Sequence, residues 1–206
     1  MEYKTEQERF WAGQFGDEYI DRNIGEKLIA SNTALFSKII SRTTSVSSVI
    51  EFGANIGLNL IALRRLLPGV HLSAVEINKK AVIQLKRIEG LQVYSTSILD
   101  FKPTKTYDLV LTKGVMIHIN PDKLQNVYEL LHKSSNKYIC VTEYYNPTPV
   151  EVVYRGHKGK LFKRDFAGEL LEKYSDLELL DYGFVYHRDH NFPKDDTTWF
   201  LLKKCR

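Results

Sequence analysis

Residues 49–57 read Val-Ile-Glu-Phe-Gly-Ala-Asn-Ile-Gly, and a second apolar run ends in Val75-Glu76-Ile77. The first stretch predicts a buried strand that leads through a glycine-containing turn into a helix. The second predicts a neighbouring strand that ends in a carboxylate. This carboxylate can accept hydrogen bonds from both hydroxyls of a ribose, and the turn lets backbone approach the same ligand. Together the two stretches indicate an α/β sheet with a nucleoside site at its carboxyl edge.

The turn lacks the features that bind phosphates. A dinucleotide fingerprint needs Gly-x-Gly-x-x-Gly, because its middle glycine lets a pyrophosphate approach. Here Asn55 stands at that position, and the spacing is Gly53-x-x-x-Gly57. The sequence also contains no Gly-x-x-x-x-Gly-Lys-[Ser/Thr] phosphate loop. A nucleoside without phosphates fits best, S-adenosylmethionine being the common one, and a dehydrogenase is disfavoured.

The segment Glu51-Phe-Gly-Ala-Asn-Ile-Gly57-Leu-Asn59 resembles the first motif of class I S-adenosylmethionine-dependent methyltransferases. The resemblance covers about residues 46–145, with Ala54-Asn55 in place of the usual Cys-Gly. A finer resemblance, to methylases associated with pseudaminic acid biosynthesis, extends to both ends of the chain. It implies methylation in bacterial surface-sugar assembly. The segments that carry it are Phe10–Asn23, Glu143–Pro149, Tyr154–His157, Lys163–Phe166 and Asp195–Phe200.

Length and composition favour one globular α/β domain. The chain has 206 residues, 43% hydrophobic and 26% charged, and a formal net charge of +4. This mild charge permits an anionic substrate but makes nucleic acid an unlikely partner. Cys140 and Cys205 give neither a disulfide framework nor a metal-ligand spacing. The first residues show no apolar signal core, and no apolar run approaches the ~20 residues of a membrane span. We therefore expect a cytoplasmic protein; the sequence does not indicate its oligomeric state.

Helical and strand patterns alternate along the chain and predict a doubly wound, Rossmann-like α/β fold. We expect seven strands in a mostly parallel sheet, an antiparallel C-terminal strand hairpin, helices on both faces and an N-terminal helical cap. The expected single methyltransferase domain, residues 1–206, divides into a cap (1–45), a cofactor-binding core (46–145) and an acceptor-binding insertion with the closing strands (146–206). The predicted strands are 46–52, 71–77, 91–95, 107–112, 137–143, 177–188 and 197–203. Helices are predicted within 6–42 and at 58–67, 78–88, 121–132 and 163–174.

The resemblance implies a cofactor site along the carboxyl edge of this sheet. Glu51 would organise the turn or meet the methionine amino group, Glu76 would bind the ribose, and Ile77 would lie on the adenine face. Ser97 stands where the family often has an aspartate, so its hydroxyl and the Ile98 amide would hold the adenine. The expected cofactor-binding residues are Trp11, Tyr19, Arg22, Glu51, Gly53, Asn55, Gly57, Asn59, Glu76, Ile77, Ser97, Ile98, Lys113 and Gly114.

The N-terminal segment carries two further expectations. Arg22 could pair with the methionine carboxylate through a bidentate contact, or it could be a surface residue of a capping helix. Trp11 and Phe15 could form an aromatic lid over the cofactor, or they could simply pack the cap onto the sheet.

Methyl transfer to a weakly acidic hydroxyl needs a base near the acceptor. His118 lies just beyond the fourth predicted strand and is the leading candidate, with a structural histidine as the alternative. Glu143, at the end of the fifth predicted strand, is a rival, and its alternative is a strand end packed under a loop. His157 is a secondary candidate.

Aromatic and basic residues after the fifth predicted strand suggest the acceptor site. A phosphate or carboxylate on the acceptor would suit this patch, and a solvated basic loop is the alternative. Lys163 and Arg164 would lie at a helix N-terminus and oppose its dipole, which favours a ligand role. The expected substrate-binding residues are Tyr144, Tyr145, Tyr154, Arg155, His157, Lys163 and Arg164.

These features favour a methyltransferase that uses S-adenosylmethionine and acts on an oxygen or nitrogen of a small polar metabolite. The resemblance implies a sugar or nucleotide-sugar. An RNA methyltransferase and a non-catalytic cofactor-binding subunit remain alternatives. No metal site is expected, because His187-x-x-His190 is better explained as part of a polar loop, in which Asp195 and Asp196 could close the far wall of the site.

Overall fold

The computed structural model describes residues 2–205, which form seven α-helices and nine β-strands, with two short 3₁₀ turns at Met116–His118 and Pro121–Lys123. The helices are α1 (Glu6–Ala12), α2 (Gln14–Arg22), α3 (Glu26–Ile40), α4 (Leu58–Leu66), α5 (Lys79–Leu85), α6 (Leu124–Ser134) and α7 (Phe166–Lys173). The strands are β1 (Ser48–Phe52), β2 (His71–Glu76), β3 (Leu91–Ser95), β4 (Tyr107–Lys113), β5 (Ser135–Glu143), β6 (Val150–Tyr154), β7 (His157–Lys163), β8 (Leu177–Val185) and β9 (Thr197–Lys204).

Seven strands form one sheet in the order β3-β2-β1-β4-β5-β9-β8. The first five pair in parallel, and β9 runs antiparallel to both β5 and β8. This confirms the predicted seven-stranded, Rossmann-like sheet with its antiparallel closing hairpin. The order changes direction at β1 and β4, and ligands of open α/β sheets bind outside the carboxyl ends of strands at such a point.

Alternate residues of the central strands face two separate hydrophobic cores. Ile50 and Phe52 of β1 point into the core beneath α6 and α7, whereas Val49 points into the core beneath α3 and α4. Each of these three side chains is almost fully buried. The near-continuous apolar runs seen in the sequence follow from this burial on both faces. Such packing fixes the ends of β1, β2 and β4 relative to one another.

The N-terminal helices dock over the carboxyl edge of the sheet. Thr5 begins α1 with a capping box, in which its hydroxyl accepts from the Glu8 amide and Glu8 accepts from the Thr5 amide. Asp17 of α2 accepts a hydrogen bond from Asn78 Nδ2 at 2.8 Å, next to the end of β2. Gly16 lies inside α2, and a Cβ there would approach the Trp11 carbonyl oxygen to 1.9 Å.

The region 146–165 differs most from the sequence prediction. It contains a second, two-stranded sheet of β6 and β7, and α7 begins at Phe166 rather than Lys163. The Arg155-Gly156 turn has φ of 48° and 85°, the backbone of a two-residue hairpin turn. Lys163 ends β7, and Asp165 caps α7 by accepting from the Gly168 amide. The argument that two basic residues oppose the α7 dipole is therefore wrong.

Other boundaries shift by a few residues. Strand β8 ends at Val185, not at 188, and the helix expected from Pro121 begins as a 3₁₀ turn before α6 starts at Leu124.

Candidate functional site

The turn between β1 and α4 depends on its two glycines. Gly53 and Gly57 have φ of 73° and 83°, in the left-handed region that favours glycine. A Cβ on Gly53 would lie 2.5 Å from a Val115 methyl, and one on Gly57 would lie 2.7 Å from Ile88 Cδ1. Gly57 is the N-cap of α4 and does not line the cavity described below. Its role is thus to form the turn and pack it, while Gly53 keeps the loop after β4 close.

Glu76 ties the turn to the end of β2. Its Oε2 accepts from the Asn55 amide and its Oε1 from the Asn78 amide, each at 2.7 Å. Asn55 itself has φ of 47°. Burial raises the pKa of Glu76, and the backbone hydrogen bonds from residues 78, 55 and 77 oppose that rise. The carboxylate thus has a structural task, and each of its oxygens has further capacity to accept.

Glu51 lies beneath the same turn and is fully buried. Its Oε1 accepts from Asn59 Nδ2 at 2.5 Å, whereas its Oε2 has no hydrogen-bond partner within residues 2–205. Burial raises the pKa of Glu51 to about 8, against the opposing effects of Asn59 and Lys113. A cationic group in the cavity would favour the charged carboxylate and reverse this shift.

A cavity of about 390 Å³ opens at the carboxyl ends of β1, β2 and β4, beneath α1 and α2. Its volume falls within the range typical of small-molecule sites. Expected cofactor-binding residues in its lining are Trp11, Tyr19, Gly53, Asn55, Asn59, Glu76, Ile77, Ser97, Ile98, Lys113 and Gly114. The structure therefore brings together residues that lie up to a hundred positions apart in the chain.

Several polar atoms around the cavity lack partners. Buried polar groups normally find hydrogen bonds, so unpaired ones in a cavity indicate a place for a ligand or water. Within the described residues, the atoms without a partner in the cavity lining are Gln7 Oε1, Trp11 Nε1, Asn32 Oδ1 and Asn59 Oδ1.

Ser97 forms a hydrogen bond with Glu8, a residue that the sequence did not identify as part of the site. Its hydroxyl donates to Glu8 Oε1 and accepts from the Leu99 amide at 3.0 Å. Glu8 is buried, belongs to α1 and lines the cavity. A carboxylate therefore stands beside Ser97 after all, supplied by the N-terminal helix. The Thr5-x-x-Glu8 pattern identifies a capping box, but nothing local reveals its contact with residue 97.

The other missed residues come from distant segments. Asn78 joins the cavity from the start of α5, Asn32 from α3, and His187, Lys194 and Asp195 from the segment between β8 and β9. Only Asp195 was anticipated, as part of a far wall.

His118 lines the cavity and is buried, with its ring 4.5 Å from that of Trp11 and 4.9 Å from that of Tyr154. Its Nδ1 lies 2.5 Å from the carbonyl oxygen of Lys160. A carbonyl only accepts, so Nδ1 carries the proton and Nε2 is left as an acceptor. Burial lowers the pKa of His118 to about 4, which keeps the ring neutral at physiological pH.

Glu143 does not line the cavity and holds the loop after β4. Its carboxylate accepts from the amides of Val115 and Met116 at 3.0–3.1 Å and from the Thr112 hydroxyl at 3.2 Å. Burial raises its pKa to about 7, and these hydrogen bonds oppose the rise. These contacts give Glu143 a supporting role close to the alternative foreseen for it, a strand end packed under a loop.

None of the predicted acceptor residues lines the cavity. Tyr154 contacts the rings of Trp11 and His118 at the edge of the cavity. His157 packs edge-on against both Phe10 and Phe15, which stack on each other. The predicted acceptor residues outside the cavity lining are Tyr144, Tyr145, Tyr154, Arg155, His157, Lys163 and Arg164.

Three charged residues of the predicted site contact neighbouring side chains and do not line the cavity. Arg164 pairs with Glu169 at 2.5 Å, and Lys163 lies over the Tyr144 ring at 5.1 Å. Arg22 pairs weakly with Glu18 at 3.8 Å and does not line the cavity. Of the expected cofactor-binding residues, Arg22, Glu51 and Gly57 lie outside the cavity lining.

The two histidines of the His187-x-x-His190 spacing lie in the segment between β8 and β9. His187 pairs with Asp196 at 2.8 Å. Within residues 2–205, no group of three or more potential ligand side chains could hold a metal ion. Every helix in the same range is too short or too polar to cross a membrane.

The fold is shared with structurally known S-adenosylmethionine-dependent methyltransferases. The 1,6-didemethyltoxoflavin-N1-methyltransferase of Burkholderia thailandensis, solved with its substrate and S-adenosylhomocysteine, superposes with a TM-score of 0.68 at 15% identity over 93% of this chain and 86% of that one. The magnesium protoporphyrin IX methyltransferase of Synechocystis, with S-adenosylhomocysteine bound, gives 0.67 at 12% identity over 96% and 97%. A plantazolicin methyltransferase with the same ligand gives 0.64 at 14% over 97% and 94%.

No protein-family model matches the sequence, and no curated protein is similar to it in sequence. The resemblance to pseudaminic acid-associated methylases is therefore not confirmed. At these low identities the structural matches establish the fold alone.

Proposed function

We propose that this protein transfers a methyl group from S-adenosylmethionine to an oxygen or nitrogen of a small polar metabolite. One observation carries the proposal: a cavity at the carboxyl ends of β1, β2 and β4 combines a buried carboxylate, Glu76, with polar side-chain atoms that have no partner among residues 2–205. A dinucleotide would instead require a glycine where Asn55 stands. The fold shared with S-adenosylhomocysteine-bound enzymes supports the same conclusion.

The residues present fit this cofactor group by group. Glu76 would accept from the ribose hydroxyls, and Ile77 and Ile98 would flank the adenine. Glu8, held beside Ser97, would accept from the adenine amino group, the task that the family often gives to an aspartate. Asn59 lines the cavity with an unpartnered Oδ1 that would accept from the methionine ammonium, and Glu51, which is bonded to Asn59 beneath the turn, would support it from behind.

S-adenosylmethionine supplies a methyl group already activated by a sulfonium, so the protein's tasks are alignment and the exclusion of water. The aromatic residues of α1 and α2 cover the cavity and would exclude water. His118 would accept a hydrogen bond from the acceptor through Nε2 and receive its proton. Since burial opposes a charged imidazole, His118 suits the more acidic hydroxyls of a sugar better than the hydroxyl of a simple alcohol.

For the acceptor we propose a sugar or nucleotide-sugar, methylated in the cytoplasm. A sugar presents hydroxyls that Trp11 Nε1 and Gln7 Oε1 could bind, and a ring face that could lie against Trp11 or Tyr154. The sequence resemblance to pseudaminic acid-associated methylases supports the same class. The similar folds named above serve chemically different acceptors, so the fold does not favour one of them.

An acceptor screen with methyl-labelled S-adenosylmethionine tests this proposal. Nucleotide-sugars, free sugar acids, N-heterocycles and a bulk RNA fraction would be compared, with S-adenosylhomocysteine as the common product. We expect label on a sugar compound and its loss in Glu76→Ala, but not in the matched surface variant Glu89→Ala. Label on RNA with strong salt dependence would overturn the small-molecule class. Tight cofactor binding without turnover on any acceptor would indicate a non-catalytic subunit.

A further inference from the structure

Two lysines from different parts of the fold line the same cavity. Lys113 is the last residue of β4, and Lys194 lies in the segment between β8 and β9. The amide of Lys194 donates to the Tyr186 carbonyl at 3.2 Å, which holds the segment at its place beside the sheet edge. Both side chains are partly buried. The antiparallel hairpin thus brings a second positive charge to a site otherwise built from the parallel strands.

Neither lysine has an ion-pair partner within 4.0 Å in the described part of the chain. Among the other partly or fully buried lysines, Lys160 pairs with Glu6 and Lys204 lies 3.9 Å from Asp176, whereas Lys123 and Lys163 also lack an ion pair but do not line the cavity. Burial of a charge is costly unless the charge is paired. The presence of two lysines without ion-pair partners in one cavity therefore needs an explanation.

The two charges also act on each other. Burial, and then the positive charge of Lys113, lower the pKa of Lys194 to about 7, while Asp195 raises it. Glu51 is near enough to Lys113 to feel its charge, but its own pKa is raised to about 8, so it is largely protonated at neutral pH. The cavity lining also holds Glu8, Glu76 and Asp195, but none of these carboxylates lies within ion-pair distance of either lysine, so an anionic ligand would supply a direct partner.

We propose that Lys113 and Lys194 form a two-point anion site that takes an oxyacid group, a carboxylate or a phosphate, of the bound ligands. The proposal rests on the proposed function and adds the chemistry of one ligand end. Two sources offer this group: the methionine carboxylate of the cofactor and an acidic group of the acceptor. In either case the anion joins β4 to the β8–β9 segment and closes that side of the cavity.

Calorimetry with two related thioethers separates these sources. S-adenosylhomocysteine carries the carboxylate, whereas 5′-methylthioadenosine has the same adenosine and sulfur but no amino-acid end. Inorganic phosphate titrated into protein saturated with S-adenosylhomocysteine probes an acceptor anion. The variants are Lys113→Gln and Lys194→Gln, and the matched control is Lys86→Gln, an exposed lysine next to α5.

If the pair binds the methionine carboxylate, each variant weakens S-adenosylhomocysteine binding about 10- to 100-fold, the effect of one charge-assisted hydrogen bond, and leaves 5′-methylthioadenosine unchanged. If it binds an acceptor anion, both thioethers keep their affinity and phosphate binding is lost. Melting of the free protein serves as the folding check. Removing one of two like charges should not lower the melting temperature.

The proposal is overturned if a wild type that binds S-adenosylhomocysteine gives variants matching Lys86→Gln in both titrations. A wild type that fails to bind S-adenosylhomocysteine instead overturns the proposed function. In that case phosphate is titrated into the cofactor-free protein. Loss of phosphate binding in the two lysine variants would support the anion site, and unchanged binding would exclude it.

Discussion

Replacing Glu76 by alanine tests the ribose assignment in a way that separates it from the stability of the turn. The Glu76 carboxylate accepts from the Asn55 and Asn78 amides at 2.7 Å, and it would also accept from the two ribose hydroxyls. The substitution removes all of these acceptors together. A loss of cofactor affinity alone would therefore not distinguish lost ribose contacts from a distorted turn.

The expected magnitude follows from the number and type of hydrogen bonds. A hydrogen bond to a charged group contributes about 1.5–3 kcal/mol, so two ribose contacts amount to about 3–6 kcal/mol. This corresponds to a roughly 10²- to 10⁴-fold loss in affinity. Two buried amides are also left without an acceptor, which costs about 1–3 kcal/mol of folding stability for each.

A comparison of adenosine with 2′,3′-dideoxyadenosine isolates the ribose part. Both ligands experience the same turn, so a distortion affects them equally and cancels in the ratio of their dissociation constants. We expect the wild type and the surface variant Glu89→Ala to prefer adenosine strongly, and Glu76→Ala to bind both alike. If Glu76→Ala is folded and keeps the wild-type preference, the ribose assignment is wrong.

Three further substitutions test other parts of the account. Glu143→Gln should lower the free energy of unfolding by about 1–3 kcal/mol in denaturant titrations, because one of the two oxygens that accept from the loop amides becomes an NH₂ group, which cannot accept; a rate defect at full stability would instead support a base role. His118→Asn should reduce turnover about 100-fold in steady-state kinetics while calorimetry shows unchanged cofactor affinity, and full activity would remove it as the proton acceptor. Burial opposes the ionisation of Asp108, but hydrogen bonds from Ser47 and the charge of Lys137 lower its pKa to about 2 from an ordinary 3.8. Its stabilisation is therefore present above pH 3.8 and is lost as the pH falls through 2, so Asp108→Asn should cost about 2 kcal/mol at pH 7 and almost nothing near pH 2; a cost independent of pH would contradict this.

The parts of the fold that follow from local pattern were predictable from the sequence. Apolar runs buried on both faces fix the central strands, and the spacing around Gly53 and Glu76 fixes the ligand edge. The β6–β7 hairpin was not predicted, because its strands are largely exposed and show little apolar alternation. Its turn could have been noticed, since a glycine follows Arg155 where a two-residue hairpin needs positive φ.

The candidate site was predictable where its residues follow strands of the parallel sheet. Glu8 escaped notice because its contact with Ser97 joins positions 89 residues apart. Lys194 was not predicted as a site residue for the same reason, since only the pairing of β8 with β9 brings its segment to the cavity. The hydrogen bonds from Thr112, Val115 and Met116 to Glu143 likewise depend on the tertiary fold, so the sequence alone could not show that this candidate base holds the loop after β4.

The most direct test of the central claim is calorimetric titration of the wild-type protein with S-adenosylmethionine, with NAD as the control. The account predicts micromolar binding of S-adenosylmethionine and no binding of NAD, because Asn55 occupies the position where a pyrophosphate would need glycine. Failure to bind either S-adenosylmethionine or S-adenosylhomocysteine would contradict it and would mean that the turn of residues 51–57 serves the fold alone.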